Sequence, residues 1–277
     1  LQTGIAFNNN SLYIGAINKI LVIPEIEKNL NSPVIKVIKD DLPNDFHHGW
    51  KYLKIGKDNR IYFNIGAPCN VCEVKDPYAT IASIKLDGSD FSIFARGVRN
   101  SVGFLFHPIT NDLWFTDNGR DGLGDDLPPC ELNYSTGPGY HFGFPYCFGN
   151  NIIDKTLSYK NTCNQFIPTM VDFEAHVAPL GIDISTGNLF SESLNNTIFI
   201  AQHGSWNRSK KIGYRIAYAK LNDEHKKIIE KGIFAEGWLK KNGNVLGRPT
   251  DILFNQSGDM FISDDLLGNI YIIQYQN

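Results

Sequence analysis

The chain of 277 residues is 42% hydrophobic and 20% charged, which is ordinary for a globular protein with a sizeable core. Its net charge of -3 argues against a nucleic-acid or membrane-surface partner, since either would require a basic face. No apolar run approaches the roughly 20 residues that span a bilayer, so no membrane span is expected. Aromatic residues at 12% and 25 glycines favour β structure rich in turns.

A short apolar strand, a turn carrying Asn, Asp or Gly, and a second aromatic-rich strand recur along the chain. Apolar residues alternate with a period of two on both sides of each turn, which predicts β-hairpins. With the strands that follow it, each copy would supply three or four strands at spacings of roughly 45 to 75 residues. The five copies are Gly4 to Ile23, Tyr52 to Gly66, Val102 to Gly119, Leu180 to Phe190 and Thr250 to Tyr275.

Such repeats predict an all-β protein, a β-propeller that forms one domain over residues 1–277. Five copies leave room for a sixth blade with strands upstream of Leu1, so the first blade is expected to be incomplete in this chain. Helix signals are scarce, and the best short candidate is Asp223 to Lys231. Loops between propeller strands meet at the mouth of the central channel, where we expect polar residues distant in sequence to converge.

The five cysteines predict a disulfide framework. Cys69 and Cys72 form a C-x-x-C pair without the second pair or histidine of a zinc site. Their β and loop context also differs from a thioredoxin-like helix start, so a disulfide that braces a loop is expected. Cys147 and Cys163 are candidates for a second disulfide, which would leave one cysteine over. Disulfides would indicate an oxidising compartment.

Two adjacent histidines, His47 and His48, precede the apolar strand of the second copy. A histidine beside a glycine at a loop end is a candidate general base, because its ordinary pKa lies near neutrality. The alternative is that the imidazole caps a neighbouring carbonyl.

Arg99 and Asn100 offer a fixed cation beside an amide, a pair suited to anchoring a carboxylate or a carbonyl oxygen. The alternative is a surface ion pair of Arg99 with Asp90 or Asp117. Arg248, before the last copy, is a matching candidate.

The long loop after the third copy is dense in oxygen donors. Such donors, with glycines that permit sharp turns, suit Ca²⁺, although the spacing is not that of an EF-hand. The alternative is an acidic, solvated loop. The acidic residues are Asp117, Asp121, Asp125, Asp126 and Glu131.

At these residues the chain resembles the glucose/sorbosone dehydrogenase family, the soluble aldose dehydrogenases that use pyrroloquinoline quinone. It most resembles the sorbosone-dehydrogenase-like branch, and the resemblance covers essentially the whole chain. The segments that carry it occur in order: HHGWKYLKIGKDNRIYFNIGAPCNVC, GVRNSVGFLFHP, LWFTDNGRDGLGDDLPPCELN, HFGFPYC, APLG, QHGSWNR and GRPTDILFNQSGDMFISDD.

The resemblance implies a six-bladed propeller with the quinone lying over the channel mouth. His48 falls at the position of the family's catalytic base. Arg99 and Asn100 match an Arg-Asn pair that contacts the reactive carbonyl edge of the quinone. His48 would take the proton of the sugar's anomeric hydroxyl while a hydride passes to the quinone C5, and Arg99 would stabilise the negative charge on the quinone oxygen.

The resemblance also implies a Ca²⁺ ion that binds the quinone. Gly119 and Arg120 match the segment whose backbone carbonyls hold this ion. Arg248 matches an arginine that pairs with carboxylates of the cofactor. For a further basic contact the best candidates are His203 and Arg208.

The expected function is therefore oxidation of an aldose or sugar aldehyde to a lactone or acid, with an external electron acceptor. We expect a monomer or homodimer in the periplasm or secreted, where the family usually occurs. The chain departs from the family pattern in two places: Ser101-Val102 replaces a frequent Pro-Gln, and His47 replaces a frequent Asp. Two alternatives stay open, a metal-dependent lactone hydrolase and a non-catalytic propeller that binds a glycan or a protein.

Overall fold

The structure, a computed structural model, describes residues 2–157, 162–186, 190 and 192–275. The chain divides into two compact units. The first unit comprises Leu1–Val102 and Ser135–Pro168, and the second unit comprises Gly103–Tyr134 and Thr169–Asn277. The expectation of one domain over residues 1–277 stays a prediction. Among the described residues, no helix has the length and apolar character needed to cross a membrane.

Strands dominate the described residues. They are, in chain order, β1 (Gln2–Asn8), β2 (Ser11–Ala16), β3 (Lys19–Ile23), β4 (Lys36–Lys39), β5 (Leu53–Ile55), β6 (Arg60–Ile65), β7 (Thr80–Lys85), β8 (Ser92–Arg96), β9 (Phe104–Phe106), β10 (Leu113–Asp117), β11 (Cys130–Ser135), β12 (Tyr140–His141), β13 (Cys147–Phe148), β14 (Ile152–Ile153), β15 (Val171–Phe173), β16 (Pro179–Ser185), β17 (Thr197–Gln202), β18 (Arg215–Leu221), β19 (Ile228–Glu236), β20 (Pro249–Phe254), β21 (Met260–Asp264) and β22 (Asn269–Ile273). Three short 3-10 turns accompany them: Ile26–Lys28, Cys163–Gln165 and Glu192–Leu194.

Sequential strands pair into five antiparallel sheets. In the first unit, β1–β4 form sheet 1 and β5–β8 form sheet 2, to which β12 adds in parallel beside β8. A two-stranded ribbon, β13–β14, completes this unit. In the second unit, β9–β11 with β15 form sheet 3, β16–β19 form sheet 4 and β20–β22 form sheet 5.

The hairpins follow from turn chemistry in the sequence. Asn9 and Asn10, between β1 and β2, both have positive φ (47° and 60°), as a two-residue primed turn requires. Asn59 (φ 59°) before β6 and Asn111 (φ 60°) before β10 adopt the same left-handed backbone. Asparagine tolerates this conformation better than most residues, so these turns set the register of the strands.

The core of the second unit shows why the middle of its strand β17 is a continuous apolar run. Every residue of β17 is buried. Ile198 and Ile200 pack into a cluster with sheet 3, whereas Phe199 and Ala201 pack into a cluster with sheet 5. Because successive side chains point to opposite faces, the part of β17 that packs on both faces, Ile198 to Ala201, is apolar at four consecutive positions.

The all-β propeller class is confirmed, but the expected six blades are not. The described residues form five blade-like sheets, each built from strands that nearly follow one another in sequence. Sheet 1 has four strands and sheet 5 has three, so the first described sheet is not short of strands, and strands upstream of Leu1 stay a prediction. The five sequence repeats therefore correspond to the five sheets. Part of the fourth repeat, residues 187–189, lies outside the described residues.

The helix expected over Asp223 to Lys231 is wrong. The Asn222 side chain accepts hydrogen bonds from the backbone of Lys226 and Lys227, both at 3.0 Å, and this closes a turn. From Ile228 the chain continues as β19, which pairs with β18. Side-chain bonding from Asn competes with helix formation, and the β-branched Ile228 and Ile229 favour a strand.

Candidate functional site

His48 lies in the first unit, on the loop between sheet 1 and β5. Its backbone φ of 52° is left-handed, which is strained for a histidine. Gly66 makes room for it, because a Cβ at this position would lie 2.5 Å from the His48 Cβ. The His48 Nδ1 lies 2.9 Å from the Ala67 carbonyl oxygen. A carbonyl only accepts, so Nδ1 carries the proton and Nε2 carries the lone pair of a general base.

The surroundings of His48 keep its imidazole neutral. Burial, then the positive charge of Arg99 and then His47, lower the pKa of His48 to about 3, while the bond to the Ala67 carbonyl acts in the opposite direction. A neutral imidazole is the form that can accept a proton. A pKa this low, however, also makes it a weak base in the cofactor-free protein.

Arg99 is 3% exposed and lies in the same loop cluster. Its Nε donates to the Asn70 carbonyl at 2.8 Å and its Nη2 donates to the Asn70 Oδ1 at 2.9 Å. The Arg99 carbonyl accepts from the Ala67 backbone at 2.8 Å. Burial rules out the surface ion pair with Asp90, which instead pairs with Arg60 at 2.7 Å. Arg99 is thus a buried, fixed cation beside His48, with the half-buried Asn100 next in the chain.

Disulfides brace this part of the first unit. Cys69 and Cys72 are bonded, and so are Cys147 and Cys163, as the sequence led us to expect. Cys130, in the second unit, is a buried free thiol whose pKa is raised by burial. The Cys69–Cys72 disulfide encloses Asn70, the residue that bonds to the Arg99 side chain.

The predicted calcium segment begins the long loop of the second unit. Gly119 follows β10, and a Cβ there would lie 2.6 Å from the Pro129 carbonyl oxygen, so the two stretches of backbone come close only because residue 119 is glycine. Nearby, the Asn118 side chain donates to the Pro179 carbonyl at 3.3 Å. Arg120 is 7% exposed and its Nε donates to the Asp121 carbonyl at 3.2 Å. The segment is held firmly, as carbonyl ligands of Ca²⁺ would need to be.

The acidic side chains of this loop do not gather into a metal site. Among the described residues, no group of three or more His, Cys, Asp or Glu could hold an ion. Instead, Asp121 accepts from Asn207, while Asp126 accepts from Arg208 at 2.7 Å. Glu131 accepts from Asn133 at 2.9 Å. If a calcium ion binds here, its ligands are therefore expected to be backbone carbonyls. This is the ligand type predicted for Gly119 and Arg120.

Arg208, one of the predicted cofactor contacts, is engaged with the same loop. It donates to the Asp125 carbonyl as well as to Asp126, and the Ser209 backbone donates to the Asp125 side chain at 3.1 Å. These bonds anchor the loop that carries Gly119 and Arg120. In this geometry Arg208 stabilises the loop that begins with the predicted calcium segment.

His203 and Arg248 form a second cluster in this unit. The Arg248 side chain donates to the carbonyls of His203 at 3.3 Å and Gly204 at 3.0 Å, and its guanidinium lies 5.7 Å from the centre of the Tyr214 ring. The His203 Nε2 lies 2.9 Å from the Asp265 carboxylate. Burial is the largest cause of the lowered pKa of His203. The two predicted contacts are thus neighbours.

Sequence reasoning identified His48, Arg99 and Asn100 but missed the residues that position them. Gly66 leaves room for the backbone of His48, and the Ala67 carbonyl sets the tautomer of its imidazole. Asn70 binds the Arg99 guanidinium. All three lie in the GAPCNVC segment, which carries part of the family resemblance but does not show in its letters which atoms bond to His48 and Arg99.

Comparison with known proteins identifies the family. A family model described as TrAA12-like matches residues 78–276. An uncharacterized protein of Borreliella burgdorferi is 40% identical over 288 residues, covering 99% of this chain and 75% of that protein. The pyrroloquinoline quinone-dependent sugar dehydrogenase of Hypocrea jecorina is 23% identical over 216 residues, covering 66% of this chain and 48% of that protein.

Solved structures share the fold. The family AA12 protein of Trichoderma reesei superposes with TM-scores of 0.82 in its iodide structure and 0.79 in its calcium structure, at 20% and 19% identity. Each match covers 99% of this chain and 80% of the other. The holo form of the pyranose dehydrogenase PQQ domain from Coprinopsis cinerea has a TM-score of 0.79 at 15% identity, covering 98% of this chain and 81% of the other.

These matches agree with the motifs. The family expected from the ordered segments, the soluble quinone-dependent sugar dehydrogenases, is confirmed. Because the family match spans most of the chain and the Borreliella relative is 40% identical over nearly all of it, this chain belongs to the TrAA12-like family.

Proposed function

We propose that the protein is a pyrroloquinoline-quinone- and calcium-dependent oxidoreductase that oxidises an aldose or sugar aldehyde to a lactone or acid. The observation that carries the proposal is the His48–Arg99 cluster, in which a neutral imidazole of fixed tautomer lies beside a buried cation. The H. jecorina and C. cinerea proteins, whose descriptions name the quinone, support the choice of cofactor.

Each residue has a role that its surroundings support. His48 would accept the substrate's hydroxyl proton at Nε2, since Nδ1 is already protonated towards Ala67. Arg99 would supply positive charge where negative charge develops on the electron acceptor, and Asn100 would orient that acceptor. When bound, the quinone supplies the hydride-accepting group.

In the second unit, Gly119 and Arg120 would hold Ca²⁺ through their carbonyls. The fixed backbone of this segment supports that assignment. Arg248 and His203 would contact carboxylates of the cofactor, and Arg208 would do so or hold the calcium loop. The T. reesei calcium structure supports the choice of metal.

Reconstitution tests the function. The protein is incubated with pyrroloquinoline quinone and Ca²⁺, and dye reduction is followed with a panel of aldoses and sorbosone. Stoichiometric quinone binding with sugar-dependent reduction is expected. Quinone-free protein that hydrolyses lactones would instead support the hydrolase, although the described residues lack a cluster of metal ligands for it. A folded protein with neither activity would be read as a binding propeller.

The His48→Ala variant tests the assigned base. Loss of general-base catalysis lowers turnover by about 10²–10⁴-fold, while quinone binding is retained. His47→Ala is the matched control, because His47 is the exposed neighbour, whereas the bond to the Ala67 carbonyl is made by His48. We expect its turnover to stay within a few fold of the parent. Unchanged turnover in His48→Ala would remove His48 from this role.

We further propose that the protein is periplasmic or secreted and acts as a monomer or homodimer with an external electron acceptor. The two disulfides support the oxidising compartment. Cell fractionation with an antibody tests the location, and recovery in the cytoplasm with free thiols would contradict it.

A further inference from the structure

The Arg99 guanidinium bonds twice to a residue that comes from far away in sequence. Asn70 lies 29 residues before Arg99 and offers it two acceptors, the backbone carbonyl to Nε and the side-chain Oδ1 to Nη2. Two parallel hydrogen bonds fix both the position and the plane of a guanidinium, whereas a single bond leaves it free to swing. The two bonds to Asn70 thereby orient the cation.

The Cys69–Cys72 disulfide holds Asn70 in turn. It closes a four-residue ring in which Asn70 and Val71 are the two inner residues. Cys69 and Val71 pack beside a buried cluster that includes Ala67, Phe144 and Phe148. The ring is thus attached to the core of the first unit on one side and directs both acceptors of Asn70 to Arg99 on the other.

The short span of this disulfide indicates a local role. In the chain-entropy description a disulfide stabilises a protein more when it closes a longer loop. Cys69 and Cys72 are three residues apart, whereas Cys147 and Cys163 are 16 apart. The Cys69–Cys72 disulfide therefore contributes less to global stability than Cys147–Cys163 does. Its main effect is on the geometry of Asn70.

We propose that Asn70 is the positioning residue for Arg99, and that the Cys69–Cys72 disulfide maintains the binding site for an anionic quinone by holding Asn70. This inference rests on the proposed function. Both cysteines are half-buried, so a small dithiol reaches them. On reduction the disulfide takes up two electrons and two protons to give two thiols, while the dithiol closes to its own disulfide. Asn70 is then released and Arg99 loses the two acceptors that Asn70 supplies.

Two variants and a chemical treatment test the proposal on the full chain. Asn70→Ala and the double variant Cys69→Ser/Cys72→Ser are expected to weaken quinone binding about tenfold or more, measured by quinone absorbance without turnover. Dithiothreitol should weaken binding in the parent protein but not in the double variant. Val74→Ala, which packs on the same cluster but lies outside the ring, and Cys147→Ser/Cys163→Ser are the controls, and both should keep the parent affinity when folded.

A second measurement does not need the cofactor. The His48 imidazole is titrated by NMR in the cofactor-free protein, where the Arg99 charge lowers its pKa together with burial and His47. When Arg99 loses the two bonds to Asn70, the His48 pKa should rise in Asn70→Ala and on reduction, and stay unchanged in Val74→Ala. A purely structural role of the ring would lower stability without moving this titration.

The outcomes separate the two proposals. Unchanged quinone affinity and an unchanged His48 titration in Asn70→Ala would overturn the positioning role. If the parent protein binds no quinone, the proposed function fails, while the His48 titration still decides whether Asn70 positions Arg99.

Discussion

His48 keeps its position because residue 66 has no side chain. A Cβ at Gly66 would lie 2.5 Å from the His48 Cβ and 2.6 Å from the His48 carbonyl oxygen. Both distances are shorter than Cβ atoms adopt in proteins. The strained backbone of His48 is thus supported by a glycine 18 residues later, which is typical of constrained residues at functional sites.

Gly66→Ala should therefore displace the loop that carries His48. We expect the free energy of unfolding to fall by about 1–3 kcal/mol, as for overpacked sites, and turnover to fall because the imidazole moves. Urea unfolding and steady-state kinetics measure the two effects.

Gly137→Ala is the matched control, since a Cβ there meets no atom within 4 Å. Its stability should stay within about 0.5 kcal/mol of the parent, as for other surface changes. Equal behaviour of the two variants would show that Gly66 is not required to seat His48.

At the scale of elements, the hairpins could be predicted because their signals are local. Asn9 and Asn10 supply a turn with positive φ between two alternating strands, and Asn111 does so in the third repeat. The helix expected at 223–231 is wrong because the β-branched pair Ile228 and Ile229 begins a strand, β19, at this point. Both outcomes depend on residues close together in the chain.

The site was predictable only in part, because the contacts that position its residues are not local in sequence. His48, Arg99 and Arg248 carry recognisable chemistry at recognisable places in motifs. The partners that position them are ordinary residues brought in from a distance. Asn70 reaches Arg99 across 29 residues, and nothing in the local sequence announces that contact. Non-local hydrogen bonds of this kind leave no periodic signal.

The ribbon β13–β14 carries the disulfide that should matter most for stability. Cys147, in β13, is bonded to Cys163, which closes a loop of 16 residues, and such a loop is worth about 3 kcal/mol in the chain-entropy description. Cys147→Ser/Cys163→Ser should lower the free energy of unfolding by about this amount. Cys69→Ser/Cys72→Ser should lower it by roughly 1 kcal/mol less, because its loop is shorter. Urea unfolding of both variants measures the difference, and the reverse order would contradict the argument.

For the whole molecule, buried histidines link stability to pH. Burial is the largest cause of the lowered pKa of His48, His141 and His203. The unfolded chain therefore binds more protons than the folded protein once the pH falls below the ordinary histidine pKa of about 6.5. Proton uptake by the unfolded state lowers the free energy of unfolding, so stability is fully present above about pH 6.5 and is lost as the pH falls.

We expect the free energy of unfolding to fall by about 1.4 kcal/mol per pH unit for each histidine that stays neutral in the folded state while the unfolded chain takes up a proton. The loss begins near pH 6.5 and, for His48, continues towards pH 3. Urea unfolding between pH 7.5 and pH 5 measures the slope above the range in which most carboxylates titrate. His48→Asn should remove the contribution of His48 to the slope of the free energy of unfolding against pH, because an amide does not titrate. The contributions of His141 and His203 should remain. A stability that stays flat from pH 7.5 to pH 5 would mean that these histidines take up protons in the folded protein, and His48 would then not be the neutral base assigned to it.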